Sequence, residues 1–225
     1  AGLSLGEYSA LVTSNAISFE DAVAVVKKRG KFMQEAVPEG EGTMAAVMGI
    51  DRTEINHCLK MASVYGVVEA ANYNCPGQVV IAGHIRAIEA ACNLLKERGA
   101  KRVKILPVSA PFHSSLLKSA GVKLSKELDK IKFNDMKIPV ISNVNYQMIK
   151  DKYEIKKLLV EQVSSSVLWE DSIRNMIDQG VDTFIEVGPG KSLSAFVKKI
   201  DKNVSVYNVE DMESLNNSIE SIRER

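Results

Sequence analysis

What this chain lacks narrows its function early. Cysteine is scarce: Cys58, Cys75 and Cys92 are the only three in 225 residues. They are odd in number, show no C-x-x-C spacing and sit among apolar or helical neighbours. Reduced, small core residues of a cytoplasmic protein are therefore expected, not a disulfide framework. No apolar run reaches the roughly 18 residues of a membrane span, so no membrane partner is expected. Neither charge sign is in excess, with 29 Lys+Arg against 28 Asp+Glu. That balance suggests neither nucleic-acid binding nor disorder. The three histidines are scattered and no acidic cluster has ligand spacing, so no metal site is expected. Repeats and low-complexity tracts are absent. Ala1 already lies inside a motif, so residues upstream of it are expected.

What is present is the makings of one sizeable core: 45% of residues are hydrophobic, enough to bury an embedded subdomain as well. Residues 5–16 have helical spacing. Ser18 before Phe19-Glu20-Asp21 reads as an N-cap with an acidic first turn, opening an amphipathic helix that runs to about Val37 and stops at Pro38. From Thr43 the rhythm changes. MAAVMGI reads as a strand and DRTEINHCLKMAS as a helix. VVEAANY and QVVIAG are strands joined at Asn74-Cys75-Pro76-Gly77. A helix ending at Gly99 and the strand KRVKILPV complete a β-α-β-β-α-β unit, the ferredoxin-like order. The expected organisation is a small subdomain at 43–108 inside a large domain formed by 1–42 and 109–225. In the large part, helices at 113–131, 154–164, 169–179, 191–200 and 211–223 alternate with strands at 138–144, 182–188 and 203–209. That alternation predicts a mostly parallel sheet covered on both faces.

Gly2-Leu3-Ser4-Leu5-Gly6 fits G-x-S-x-G. In a nucleophile elbow the serine sits on a strained strand-to-helix turn, and flanking glycines permit the close packing. The Leu5 N–H at the helix start is then placed to donate to an oxyanion. A small-residue helix cap is the bland alternative. A serine nucleophile needs a base. His57, within a helical segment, and His84, at a helix start, read as surface or capping residues. His113, in Ser109-Ala110-Pro111-Phe112-His113-Ser114, lies where the chain leaves the small subdomain, a position that commonly lines a cleft. Arg29 follows Lys27 and Lys28 and has two readings. It is either part of a solvated basic face or a guanidinium placed to hold a carboxylate bidentately, with Gly30 allowing close approach. Gly188-Pro189-Gly190-Lys191 lacks P-loop spacing and reads as a strand-to-helix turn.

Together these pieces resemble the malonyl-CoA:acyl-carrier-protein transacylase family. The resemblance is carried by GLSLGEYSALV (2–12), KKRGKFMQEAVPEGEGTMAAV (27–47), NYNCPGQVVIAG (72–83), PVSAPFHS (107–114), ISNV (141–144) and EVGPGKSL (186–193). It implies an α/β-hydrolase-like large domain with an inserted ferredoxin-like subdomain. It also implies a ping-pong acyl transfer in fatty acid biosynthesis. Ser4 would attack malonyl-CoA with His113 as base, and the malonyl-serine would pass its acyl group to the phosphopantetheine thiol of acyl-carrier protein. Arg29 matches the family's carboxylate-gripping arginine. The family commonly supports its histidine through a backbone carbonyl before a tryptophan, which maps here to Leu168 in Val167-Leu168-Trp169. Malonyl-CoA is a substrate and phosphopantetheine arrives on the partner, so no resident cofactor is expected. The family carries a further N-terminal portion, with a second oxyanion donor, that this chain does not. The chain taken alone is expected to be poorly active. Its residue before the nucleophile is Leu3, where the family often has histidine. Two rival enzymes share part of this pattern: a lipase- or esterase-class hydrolase, which has no use for Arg29, and a malonyl transferase domain of a polyketide synthase.

Overall fold

The computed structural model describes residues 1–224. These divide into two compact units, residues 1–172 and the residues from 173 onward. The first opens on α1 (Leu5–Thr13) and α2 (Phe19–Gln34). The Ser18 hydroxyl caps α2 by accepting from the Asp21 N–H, as its acidic first turn predicts. Ala22, Val25, Arg29 and Met33 form the buried stripe of α2. Arg29 thus occupies a position where helical spacing calls for an apolar residue, while Lys27 and Lys28 beside it are exposed.

The chain then forms β1 (Gly42–Met48), α3 (Arg52–Ala62), β2 (Val68–Cys75), β3 (Gln78–His84), α4 (Ile85–Glu97) and β4 (Arg102–Ile105). The four strands make one antiparallel sheet in the order β2-β3-β1-β4. Alternate residues of the strands, including Ala45, Val47, Val79 and Ile81, face α3 and α4 and form a closed core with Ile55, Ile88 and Leu95. Gly77, at φ 69°, makes the β2–β3 turn.

A second core joins α1 and α2 to α5 (Lys118–Leu128) and α6 (Lys152–Gln162). A short 3-10 turn, Ser115–Leu117, leads into α5. The expected helix from 113 therefore starts later, because His113 has φ 60°, outside the helical region. The expected strand at 138–144 forms no ladder. Val140 and Ile141 are buried, but the segment folds back on itself through one bridge, Ile141 to Met148, and the bond from Ile149 N–H to the Val140 carbonyl. A buried apolar run reads as a strand whether or not a neighbouring backbone pairs with it.

The unit boundary falls within α7 (Trp169–Asp178). The second unit continues with β5 (Thr183–Val187), α8 (Ser192–Ile200), β6 (Ser205–Val209) and α9 (Met212–Arg223). β5 and β6 pair in parallel. Asp211 caps α9 in a reciprocal box with Ser214. The molecule is α/β as expected, but the mostly parallel sheet expected of the large part, 1–42 and 109–225, is corrected: the expected strand at 138–144 adds no ladder, which leaves β5 and β6. Among the described residues parallel ladder pairing is confined to β5 and β6, and the larger sheet is antiparallel. The repeated β-α order conveyed strands and helices but not which strands pair.

Candidate active site

Ser4 sits immediately before α1 with φ 52° and ψ −103°, a strained conformation for a non-glycine residue. The packing that imposes it is visible at Gly2. A Cβ added there would lie 2.0 Å from the Gly6 carbonyl oxygen, so only glycine lets the incoming chain pass the first turn of the helix. Leu5 N–H opens α1 at a position that has no intrahelical acceptor.

His113 and Arg29 both reach Ser4. His113 Nε2 is 2.7 Å from Ser4 Oγ, and Arg29 Nη2 donates to the same oxygen at 2.9 Å. His113 Nδ1 is 2.9 Å from the Gln162 carbonyl. A carbonyl can only accept, so the imidazole proton belongs on Nδ1 and Nε2 is left with its lone pair toward the hydroxyl. The Ser4 O–H therefore donates to His113 and its oxygen accepts from Arg29. Burial of His113, reinforced by the Arg29 guanidinium, lowers its pKa to about 4, against the pull of the Gln162 carbonyl. The ring is thus neutral at physiological pH.

The histidine support differs from the sequence expectation. The carbonyl is that of Gln162, at the end of α6, not that of Leu168. The Leu168 carbonyl instead accepts from the N–H and hydroxyl of Ser172, and its N–H donates to the Asn143 carbonyl. The left-handed φ of His113 turns its ring toward α6. His57 is exposed, and His84 Nδ1 accepts from Val67 N–H at the start of α4, so both lie outside the site. Gly30 is exposed and an added Cβ would meet nothing within 4 Å. Arg29 therefore does not depend on a close approach at Gly30.

Three residues of the site had been given no role from sequence. Asn143 Oδ1 accepts from Ser4 N–H at 2.6 Å, and Asn143 Nδ2 donates to the Gly2 carbonyl at 2.8 Å. Gln162 Nε2 donates to the Ser4 carbonyl at 3.0 Å, while Gln162 Oε1 accepts from Arg29 Nη2 at 2.9 Å. Glu7 is fully buried beneath them. Glu7 and Asn143 do lie in the segments GLSLGEYSALV and ISNV, but spacing alone could not say that they meet. The Arg29 guanidinium also lies 5.6 Å from the centre of the Tyr8 ring. A pocket of about 480 Å³ opens beside His113, with Asn56, Glu69, Tyr73, Ser115 and Ser165 among its walls. Among the described residues there is no cluster of three or more potential metal ligands, and no helix long and apolar enough to cross a membrane.

A hydroxyl held between a neutral imidazole and a guanidinium, on an α/β frame, suits transfer of an acyl group that carries its own negative charge. Comparison with known proteins agrees. The acyl transferase domain family model matches residues 1–218. The malonyl CoA-acyl carrier protein transacylase of Bacillus subtilis is 48% identical over 225 residues, covering 100% of this chain and 71% of that protein. The crystal structure of the transacylase of that name from Clostridium perfringens superposes with a TM-score of 0.95 at 53% identity, over 99% of this chain and 70% of the other. A malonyl-transacylase solved in complex with its type II PKS acyl-carrier protein gives a TM-score of 0.94 at 40% identity, over 97% and 71%. The chain belongs to the acyl transferase domain family and, within it, to the malonyl CoA-acyl carrier protein transacylases.

Proposed function

We propose that this protein transfers a malonyl group from malonyl-CoA to the phosphopantetheine thiol of acyl-carrier protein, in fatty acid biosynthesis, through a malonyl ester on Ser4. The observation that carries this reading is the Ser4 hydroxyl held at once by His113 Nε2 and Arg29 Nη2. In the first half-reaction Ser4 Oγ attacks the thioester carbonyl as its proton passes to His113 Nε2. The tetrahedral oxyanion accepts from the Leu5 N–H. The carbon–sulfur bond then breaks, and coenzyme A leaves as the thiol with the proton held by His113. In the second half, the carrier's thiol gives its proton to His113 and attacks the ester, and Ser4 Oγ departs with that proton. The pocket beside His113 offers the incoming thiol arm a route to the base.

Arg29 grips the malonyl carboxylate. Its Nε is buried without a partner, which leaves donor capacity for an anionic acyl group. This favours a malonyl transferase over an esterase, whose acyl groups would leave that cation unpaired. The thioesters bring the reactive sulfur, so no resident cofactor is invoked. Three buried free cysteines suit a reducing compartment such as the cytoplasm. The sheet order β2-β3-β1-β4 with its own helical cover supports the division into a ferredoxin-like subdomain at 43–108, inserted in an α/β-hydrolase-like domain of 1–42 and 109–225.

Incubation with malonyl-CoA followed by digestion and mass spectrometry is expected to trap malonate on Ser4, and Ser4→Ala is expected to abolish the adduct. An adduct on another residue overturns the assignment. Arg29→Ala is expected to cost malonyl transfer about 2–5 kcal/mol, roughly thirtyfold to several-thousandfold, while sparing acetyl transfer. Equal losses for both acyl groups would assign Arg29 a structural role.

A further inference from the structure

The mechanism above leaves one buried carboxylate unused. Glu7 lies three residues after Ser4 on α1 and is 0% exposed. Its Oε2 accepts from Gln162 Nε2 at 2.7 Å and from Asn143 N–H at 3.1 Å. These are the two residues that grip Ser4 from either side. Asn143 Oδ1 holds the Ser4 N–H and Gln162 Nε2 holds the Ser4 carbonyl. Gln162 has two further duties. Its main-chain carbonyl faces His113 Nδ1, and its Oε1 accepts from Arg29 Nη2. One residue therefore touches nucleophile, base and guanidinium, and its amide can serve them only in one orientation. Glu7 Oε2 accepts from the Gln162 NH₂ and so keeps that end of the amide on its own side, which leaves the amide oxygen turned toward Arg29.

A structural role alone explains this arrangement poorly. Glu7 Oε1 is buried without a partner, and an ionised carboxyl taken out of water destabilises the fold unless well compensated. An apolar side chain at this position of α1 would satisfy the core. What an apolar residue cannot supply is a single acceptor shared by Gln162 and Asn143.

We propose that Glu7 is a positioning residue, whose Oε2 fixes the Gln162 amide and the Asn143 backbone and thereby orients both Ser4 and the Arg29 guanidinium for a carboxylate-bearing acyl group. This rests on the malonyl-transfer reading above. Glu7 touches no substrate, so its influence is read through Arg29, as selection between acyl groups.

The test compares Glu7→Gln with Glu7→Leu, assaying malonyl and acetyl transfer and measuring Tm. In Glu7→Gln the side-chain oxygen can accept from both donors and the new NH₂ takes the place of the unpartnered Oε1, so the malonyl preference is expected to hold within about threefold. In Glu7→Leu the Gln162 amide loses its anchor, and the malonyl-to-acetyl ratio of kcat/KM is expected to fall by about tenfold or more. A folded Glu7→Leu that keeps the parental ratio overturns the proposal, whatever its Tm. If Glu7→Leu does not fold, Gln162→Met carries the same test. It retains the main-chain carbonyl for His113 and removes the amide link to Arg29, and an unchanged ratio there equally overturns the proposal. Ser4→Ala and Arg29→Ala serve as references. If neither impairs malonyl transfer, the functional reading fails. If both do and the Glu7 and Gln162 variants keep the ratio, only the positioning role fails.

Discussion

Two titrations of opposite sign meet at the site. His113 is held neutral down to about pH 4, first by burial and then by Arg29. A base in that state remains competent far below the ordinary histidine range, so the acid limb of kcat/KM is expected well under pH 6. A bound malonyl carboxylate offsets Arg29, so the limb in kcat is expected at higher pH than the limb in kcat/KM. Coincident limbs near 6.5 would contradict this account of the ring. For stability, the depressed His113 pKa makes the unfolded chain the better proton binder between about 4 and 6.5, so its contribution is lost as pH falls through that window. Glu7 works the other way. Burial raises its pKa from 4.5 to about 7, against the bonds from Gln162 and Asn143. The folded state then holds the extra proton, and stability falls as pH rises from 4.5 through 7, by about 3 kcal/mol in all. Glu7→Gln removes only this second term. Its Tm is expected to gain on the parent steadily between pH 5 and 8, and parallel curves would show that Glu7 titrates normally. Ser4 and His113 were legible from sequence because an elbow motif and a cleft-lining loop are local patterns. Gln162 was not, since a glutamine ending a helix has no signature. Its role exists only because α6 ends beside α1, α2 and the loop at 113.

At the scale of elements, the elbow depends on how the entering chain crosses α1. The Gly2–Gly6 contact is the tightest constraint on it, because a Cβ on Gly2 would overlap backbone, not a yielding side chain. Gly2→Ala is therefore expected to displace Ser4 from His113. A displacement of roughly 1 Å costs about a hundredfold in rate. Activity assays beside a Tm measurement check this, and a Gly2→Ala protein with parental rates would show that the turn relaxes elsewhere. Gly6 is different, with nothing within 4 Å of an added Cβ. The motif thus marks two glycines, but only the first is required by packing. Element identity was generally readable. Ser18 and Asp51 cap α2 and α3 as polar residues before acidic first turns should, and Gly99 at φ 89° ends α4. Pairing was not readable. Residues 138–144 have the apolar run of a strand, yet Val140 and Ser142 bond back to residues 146–149, and Asn143 bonds to Gly2, Ser4, Glu7 and Leu168, so no ladder forms there. Composition reports burial, whereas a ladder depends on which backbone lies alongside.

At the scale of the molecule, the antiparallel sheet and its two helices form a core that closes on itself. Every residue of that cluster, from Ala45 to Val103, belongs to the β-α-β-β-α-β stretch. Val79, Ile81, Ile55, Ile88 and Leu95 are each at most 2% exposed. The opposite sheet face, which meets Leu106, Val108 and Phe112, is built largely from small side chains: Ala71 and Ala82 beside Met44 and Val80. Separation would expose alanine methyl groups more than large apolar surface. Burial scales with side-chain area at about 25 cal/mol per Å², so the loss is modest beside what the helix-covered face retains. The segment 41–108 is therefore expected to fold alone, within the size range of small domains that do so without disulfides or metal. Its unfolding in urea should be a single cooperative transition, with circular dichroism and amide-resolved NMR giving the same midpoint. The site-bearing part makes the contrast. Ser4, Arg29, His113 and Gln162 are drawn from both sides of this segment in sequence, so 41–108 carries the fold of the small sheet and none of the catalytic constellation. A fragment that melts without cooperativity, or shows collapsed amide dispersion, would mean that contacts from outside it, Phe112 on the sheet face and Val167 beside Ala71 and Tyr73, are needed to complete the sheet.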